Sequence, residues 1–212
     1  MRAGLLVDIP AGSVIMQGSL EVPEGARGTV LFAHGSGSSR HSPRNKRVAA
    51  RLREAGFGTL LVDLLSPEED RDPDTRFDIP LLTRRLGVAA SWLARDPDLP
   101  PLGLFGASTG AAAAVRLAAD AGPRIAAVVS RGGRPDLAGP AELEAVAAPT
   151  LLIVGGHDGA VLELNRAALA VLRCEKELVV IPGATHLFEE TGALEAVSEF
   201  AADWFGRHLV SA

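Results

Sequence analysis

Six short apolar runs, each followed by a longer stretch of helical periodicity, constrain this chain more than any other feature. The runs are "GTVLFAH" (28–34), "GTLLVDL" (58–64), "PLGLFG" (101–106), "IAAVVS" (125–130), "TLLIVGG" (150–156) and "ELVVIPG" (177–183). Their apolar residues are continuous rather than alternating, which is the pattern of strands covered on both faces. Helical patterns fall at 45–55, 76–95, 108–121, 141–147, 162–173 and 193–208. Alternation of this kind predicts a parallel sheet with helices on both faces. The opening "GLLVDIPAGSVIMQGSLEVPEG" reads differently, as an antiparallel hairpin turned near Ala11 and Gly12.

A chain of 212 residues, 47% hydrophobic and 22% charged, is enough for one well-buried domain, expected over 1–212. The net charge of −5 gives no electrostatic reason for nucleic acid or an anionic membrane as partner. Cys174 is the only cysteine, so no internal disulfide forms and a reducing compartment is expected. The apolar run near the start is too short for a secretory signal core and is broken by Asp8. No window approaches a membrane span. The expectation is a cytoplasmic protein, with a homodimer left open. The longest irregular segment, 64–80, is rich in Pro and acid and follows a strand. It therefore lies over the carboxyl edge of the sheet, where open α/β sheets bind ligands.

The turn "GLFGASTGAAAA" joins a strand to an alanine-rich helix and admits two readings. A phosphate cradle of the P-loop kind needs a lysine and a hydroxyl at the helix start, and no lysine is near. A dinucleotide fingerprint belongs in the first βαβ unit, whereas this turn follows about the fifth strand with glycines at 103, 106 and 110. The other reading is G-x-S-x-G, Gly106 to Gly110, which lifts Ser108 onto a strained strand-to-helix corner. The competing structural explanation is a glycine-rich helix start with a serine near its cap.

A serine hydroxyl is a weak nucleophile and needs a base that is itself oriented by a carboxylate. The run at 150–156 leads into "HDGAV", placing Asp158 after one strand end. The run at 177–183 leads into "ATHLFEE", placing His186 after the next. Three matched residues thus follow three strands of one parallel sheet. Asp136 in "RGGRPDLAG" is the competing acid, and His157, His208 and His41 fit the base less well by place or order. Acyl transfer also needs N–H donors for an oxyanion. The Thr109 amide is one candidate, and the Ser36 amide in "AHGSGSS" is the other, with His34 bracing that loop.

These segments resemble an α/β-hydrolase of the dienelactone hydrolase family in the broad sense. The similarity covers nearly the whole chain, through "HGSGSSRHSPRN", "VAARLREAGFGTLLVDLL", "GASTGAAAA", "SRGGRPDLAG", "PTLLIVGGHD" and "GATHLFEE". It is nearest to the small uncapped hydrolases found alone or fused to phosphoribosyltransferases. The resemblance implies a mostly parallel twisted sheet of about eight strands with roughly six helices and no substantial cap. It also implies a small-ester hydrolase acting through Ser108, Asp158 and His186, with no metal or organic cofactor. The founding members use a cysteine nucleophile, whereas this elbow carries Ser108, so serine esterase chemistry is implied rather than lactone hydrolysis. The alternatives are a thioesterase, lactonase or perhydrolase with the same three residues, or a non-catalytic binding protein on the same fold.

Other residues near the presumed site carry weaker signals. Arg40, His41, Arg44 and Asn45 stand beside the oxyanion loop, either to receive an anionic or polar acyl group or as a solvated loop and helix cap. Arg131 ends a strand and points toward the carboxyl edge, where it either contacts substrate or, as the favoured reading, pairs with Glu68, Glu69 or Asp70 of the acidic loop. Phe188 either lines the pocket or packs in the core, and Trp92 and Trp204 read as core anchors.

Overall fold

The computed structural model describes residues 2–96, 101–121 and 124–209. An eight-stranded sheet runs through it in the order β1-β2-β4-β3-β5-β6-β7-β8. The strands are β1 (Arg2–Ala11), β2 (Val14–Val22), β3 (Thr29–Ala33), β4 (Gly58–Val62), β5 (Leu102–Ala107), β6 (Ile125–Arg131), β7 (Thr150–Gly155) and β8 (Lys176–Ile181). β1 and β2 form the antiparallel hairpin, β2 pairs antiparallel with β4, and every other pairing is parallel.

The helices are α1 (Pro43–Glu54), α2 (Pro73–Arg76), α3 (Ile79–Leu93), α4 (Thr109–Ala121), α5 (Pro140–Ala145), α6 (Gly159–Val171) and α7 (Ala193–His208). The helix expected over 76–95 is divided. Phe77 and Asp78 interrupt it, and α3 starts afresh with Pro80 in its first turn and the Asp78 side chain accepting Leu81 N–H at 2.8 Å. Proline is suited to the first turn of a helix and unsuited to its interior, so the break falls there.

The continuous apolar runs are explained by two cores, one on each face. Leu31, Ala33, Leu104, Val128 and Leu152 point to the face covered by α3, α4, α5 and α6. Val30, Phe32, Phe105, Val129 and Ile153 point to the face covered by α1 and α7. Trp204 is buried as expected, and Trp92 packs partly buried against the first core. No helix among the described residues is long and apolar enough to cross a membrane.

The strand order places the chemistry. β3 lies between β4 and β5, with Ala33 beside Gly106. The helix after β3 covers one face and the helix after β5 covers the other. Such a reversal opens a crevice beyond the carboxyl ends of the two strands. The loops following β3 and β5 meet there.

Candidate active site

Ser108 has φ of 51°, in the left-handed region that non-glycine residues rarely enter. The corner is held from below: Ser108 N–H donates to Arg131 O at 3.3 Å, and Ser108 O accepts from Ala111 and Arg134 N–H, each at 3.1 Å. The flanking glycines are there because backbone passes too close for a side chain. A Cβ on Gly106 would stand 2.4 Å from Ala111 Cα, and one on Gly110 would stand 2.2 Å from Ala33 O. Helix α4 thus starts directly against the end of β3. This is the geometry of a nucleophile elbow.

β7 and β8 run in register up to Gly155 and Ile181. Their following loops are tied together, Gly156 N–H to Ile181 O at 2.9 Å and His157 N–H to Ala184 O at 2.9 Å. Asp158 occupies the cap position of α6 without capping it. Its carboxylate Oδ2 instead meets His186 Nδ1 at 2.6 Å. The imidazole therefore donates from Nδ1 and keeps Nε2 for another partner. Asp158 is mostly covered, whereas the His186 side chain is 38% exposed.

His186 also borders the elbow. A Cβ on Gly132 would come within 3.5 Å of His186 Cε1, and Gly132 follows the residue whose carbonyl accepts the Ser108 amide. Among the described residues, Ser108 Oγ makes no hydrogen bond to the ring. Bonds of this kind commonly tighten only when substrate is present. Asp136, the competing acid, is held by Arg134 through two bonds of 2.8 Å.

The oxyanion loop lies where the register of β3 and β5 puts it. A Cβ on Gly35 would touch Ser108 Cβ at 2.9 Å. His34 is buried and fixes the loop: Leu64 N–H donates to Nε2 at 3.1 Å, so the ring proton sits on Nδ1 and donates to Gly35 O at 3.0 Å. The bracing expected of His34 is thus a pair of hydrogen bonds, and its ring nitrogens are both engaged. The Ser36 amide carries a feature absent from the sequence reading. It donates to Thr109 Oγ1 at 2.9 Å, so the N–H expected to face an oxyanion is already taken, and the Thr109 hydroxyl ties the oxyanion loop to the first residue of α4.

Several pocket candidates are placed differently from expectation. Arg40 is not free to take a substrate, because its guanidinium and its amide both bond the Asp63 carboxylate. His41 is exposed. Of the two places expected for it, Phe188 takes the core, on the α1 and α7 face, with φ of 55°. Arg131 does not pair with the acidic loop. Glu69 bonds Arg85 at 2.8 Å and Asp70 bonds Arg76 at 3.2 Å, while the Arg131 guanidinium points toward α1 and Phe188. Strand alternation explains the error: Arg131 shares its face with Ala127 and Val129, which pack on α1 and α7. His208 is half-buried against Trp204, and burial lowers its pKa.

A cleft of about 570 Å³ borders the oxyanion loop, lined by His34, Ser38, Arg40, Leu65, Pro67 and Ile15 among others. A larger hollow of about 950 Å³ lies at the opposite rim, beside the strand starts Thr29, Leu102 and Ile125. Neither hollow is lined by Ser108, Asp158 or His186; the smaller one adjoins the site through His34 and Ser38 of the oxyanion loop.

Comparison with known proteins gives the fold and its relatives. No family profile matches the chain. A dienelactone hydrolase structure from Anabaena variabilis is 52% identical, with 97% of each chain covered and a TM-score of 0.92. A Xanthomonas campestris α/β serine hydrolase described as lacking a lid is 21% identical, covers 100% of this chain and 97% of its own, and has a TM-score of 0.81. Two Mycobacterium tuberculosis proteins, from strains CDC 1551 and H37Rv, are 59% identical over 205 residues and carry the provisional name of phosphoribosyl transferase. The alignment takes in 96% of this chain but only 46% of theirs, so this chain spans about half the length of these curated relatives.

Proposed function

This chain belongs to the dienelactone hydrolase family of α/β-hydrolases, and from that premise we propose that it hydrolyses small carboxylic esters through Ser108, His186 and Asp158. Ser108 Oγ attacks the ester carbonyl while His186 Nε2 takes its proton. The tetrahedral intermediate places its oxyanion toward the Thr109 amide, beside the loop that the Thr109 hydroxyl ties down through the Ser36 amide. Collapse breaks the bond to the alcohol, which leaves with the proton from His186. Water then repeats the sequence on the acyl-enzyme and releases the acid. Asp158 holds the imidazole in the tautomer that leaves Nε2 available, and stabilises the ring once it is protonated.

The observation that carries this reading is the 2.6 Å bond between Asp158 and His186 beside an elbow whose serine is held at φ of 51°. Strain of that kind persists only where the surroundings enforce it, and it serves nucleophile exposure. The transferase name does not displace it, because it belongs to proteins of which this chain spans less than half.

The test is hydrolysis of p-nitrophenyl esters of increasing acyl length, alongside labelling by a fluorophosphonate. Saturable turnover and one label per chain on Ser108, both lost in Ser108→Ala, are expected. Equal rates from the parent and Ser108→Ala end the serine mechanism. Labelling without turnover of any ester moves the reading to thioesters, lactones or peracids.

A further inference from the structure

Arg131 is 7% exposed and lacks a carboxylate partner among the described residues. The contrast with Arg85 is direct. That arginine is 9% exposed and bonds Glu69 at 2.8 Å. For Arg131 the contacts are a borderline bond of 3.5 Å from Nη2 to Asn45 Oδ1 and the ring face of Phe188, 5.8 Å from the guanidinium carbon. Its Nε is buried and bonded to nothing. A guanidinium has five N–H donors, and a buried one left this bare calls for an anion that the fold itself does not supply.

The surroundings repeat the demand. Arg44 lies close enough to Arg131 for their charges to repel, and Arg44 Nε is also buried without a partner. Among the described residues, the one carboxylate bonded to Arg44 is that of Glu189, which is largely exposed. Arg44 and Asn45 stand in the first turn of α1, a helix of 12 residues with no acidic side chain in that turn. The amino end of a helix favours negative charge, so dipole and guanidinium act in the same sense. The place also adjoins the reaction: the Arg131 carbonyl takes the Ser108 amide, and Phe188 lies two residues beyond His186.

We propose that Arg131, Arg44 and the start of α1 form an oxyanion-binding subsite beside the active site, for a carboxylate or phosphate group. Arg131 holds the oxyanion from beneath in planar, charge-assisted bonds, with Arg44 closing from the surface. The group is either borne by the substrate, an arm that rests on the esterase reading, or it is a free anion that occupies the subsite as an effector.

The experiment separates these sources. The parent, Arg131→Met and Arg131→Lys are compared on p-nitrophenyl butyrate and on the mono-p-nitrophenyl ester of glutaric acid. Melting temperatures are read in sodium phosphate and in sodium glutarate, each against sodium chloride of equal ionic strength. A substrate-borne anion is indicated if the parent favours the glutarate hemi-ester by about tenfold or more in kcat/KM and the variants lose that ratio. A free anion is indicated if the hemi-ester is not favoured but phosphate raises the parent's melting temperature saturably and that of Arg131→Met does not follow. No hemi-ester preference together with no anion-specific thermal shift of the parent overturns the proposal, and that thermal readout needs no variant to fold. Failure of the parent to hydrolyse either ester counts against the esterase reading alone, since the thermal shifts still decide the subsite.

Discussion

Asp158 Oδ2 and His186 Nδ1 stand 2.6 Å apart although 28 residues of chain separate them. The pairing of β7 with β8 carries both loops to one rim, so the bond follows from the register of two strands. Replacing the carboxylate by an amide in Asp158→Asn leaves the shape but offers the wrong tautomer to Ser108. Such a change is expected to lower kcat on p-nitrophenyl butyrate by a factor on the order of 10³–10⁴. Asp136→Asn should leave kcat near the parent's, because that carboxylate is committed to Arg134. Equal losses from the two variants would move the orienting role away from Asp158.

The Thr109 hydroxyl holds the Ser36 amide at 2.9 Å, which fixes the oxyanion loop against the start of α4. Thr109→Val keeps the volume and removes the acceptor, freeing the loop to drift from the reacting carbonyl. The expected result is a fall in kcat of roughly ten- to a hundredfold with little change in KM. Thr109→Ser restores the acceptor and should recover most of the rate. Steady-state kinetics of the three proteins decides, and an unimpaired Thr109→Val means the loop keeps its place without the hydroxyl.

Two glycine substitutions should act in opposite directions. A methyl on Gly110 meets Ala33 O at 2.2 Å and His34 O at 2.5 Å, and main chain cannot yield as a side chain does. Gly110→Ala should therefore cost about 3 kcal/mol or more. Gly206 lies within α7 and a Cβ there has nothing within 4 Å. Gly206→Ala should stabilise by about 0.5–1 kcal/mol through helix propensity and a less flexible unfolded chain. Urea unfolding of both variants reads the sign directly.

Strands and helices were legible because burial on two faces writes itself as unbroken apolar runs, and helix faces repeat at their own period. The break at Phe77–Asp78 was hidden by a helical pattern that continues across Pro80, where cap and proline begin a second helix. Ser108, Asp158 and His186 stood out because a strand end is visible in sequence and carboxyl ends converge in a parallel sheet. Partners of charged side chains did not stand out. Arg40 finding Asp63 and Arg131 finding no carboxylate among the described residues depend on which face each strand end presents, and on loops whose path no local pattern records. The bond between Ser36 and Thr109 joins residues 73 apart through a hydroxyl that the pentapeptide pattern treats as a free position.

Arg131 yields a stability prediction with a definite sign. Burial, aided by the nearby charge of Arg44, lowers its pKa from the ordinary arginine range to about 10. Below about pH 10 the side chain is charged in both folded and unfolded states, so the penalty of burying that charge is present in full at neutral pH. It fades only above about pH 10, where the folded protein releases the proton first and stability gains with rising pH. A shift of this size corresponds to about 3 kcal/mol against the folded state at pH 7. Arg131→Met fills similar space without charge and forfeits the contact with Phe188, itself worth about 0.5–2 kcal/mol. The net expectation is a variant more stable by about 1–3 kcal/mol in chloride buffer, at about 2–4 °C of melting temperature per kcal/mol. Phosphate should narrow the gap, since a bound oxyanion stabilises only the parent. A variant that melts below the parent in chloride would mean the guanidinium is already compensated within the fold, and the case for an anion beside α1 would lose its energetic basis.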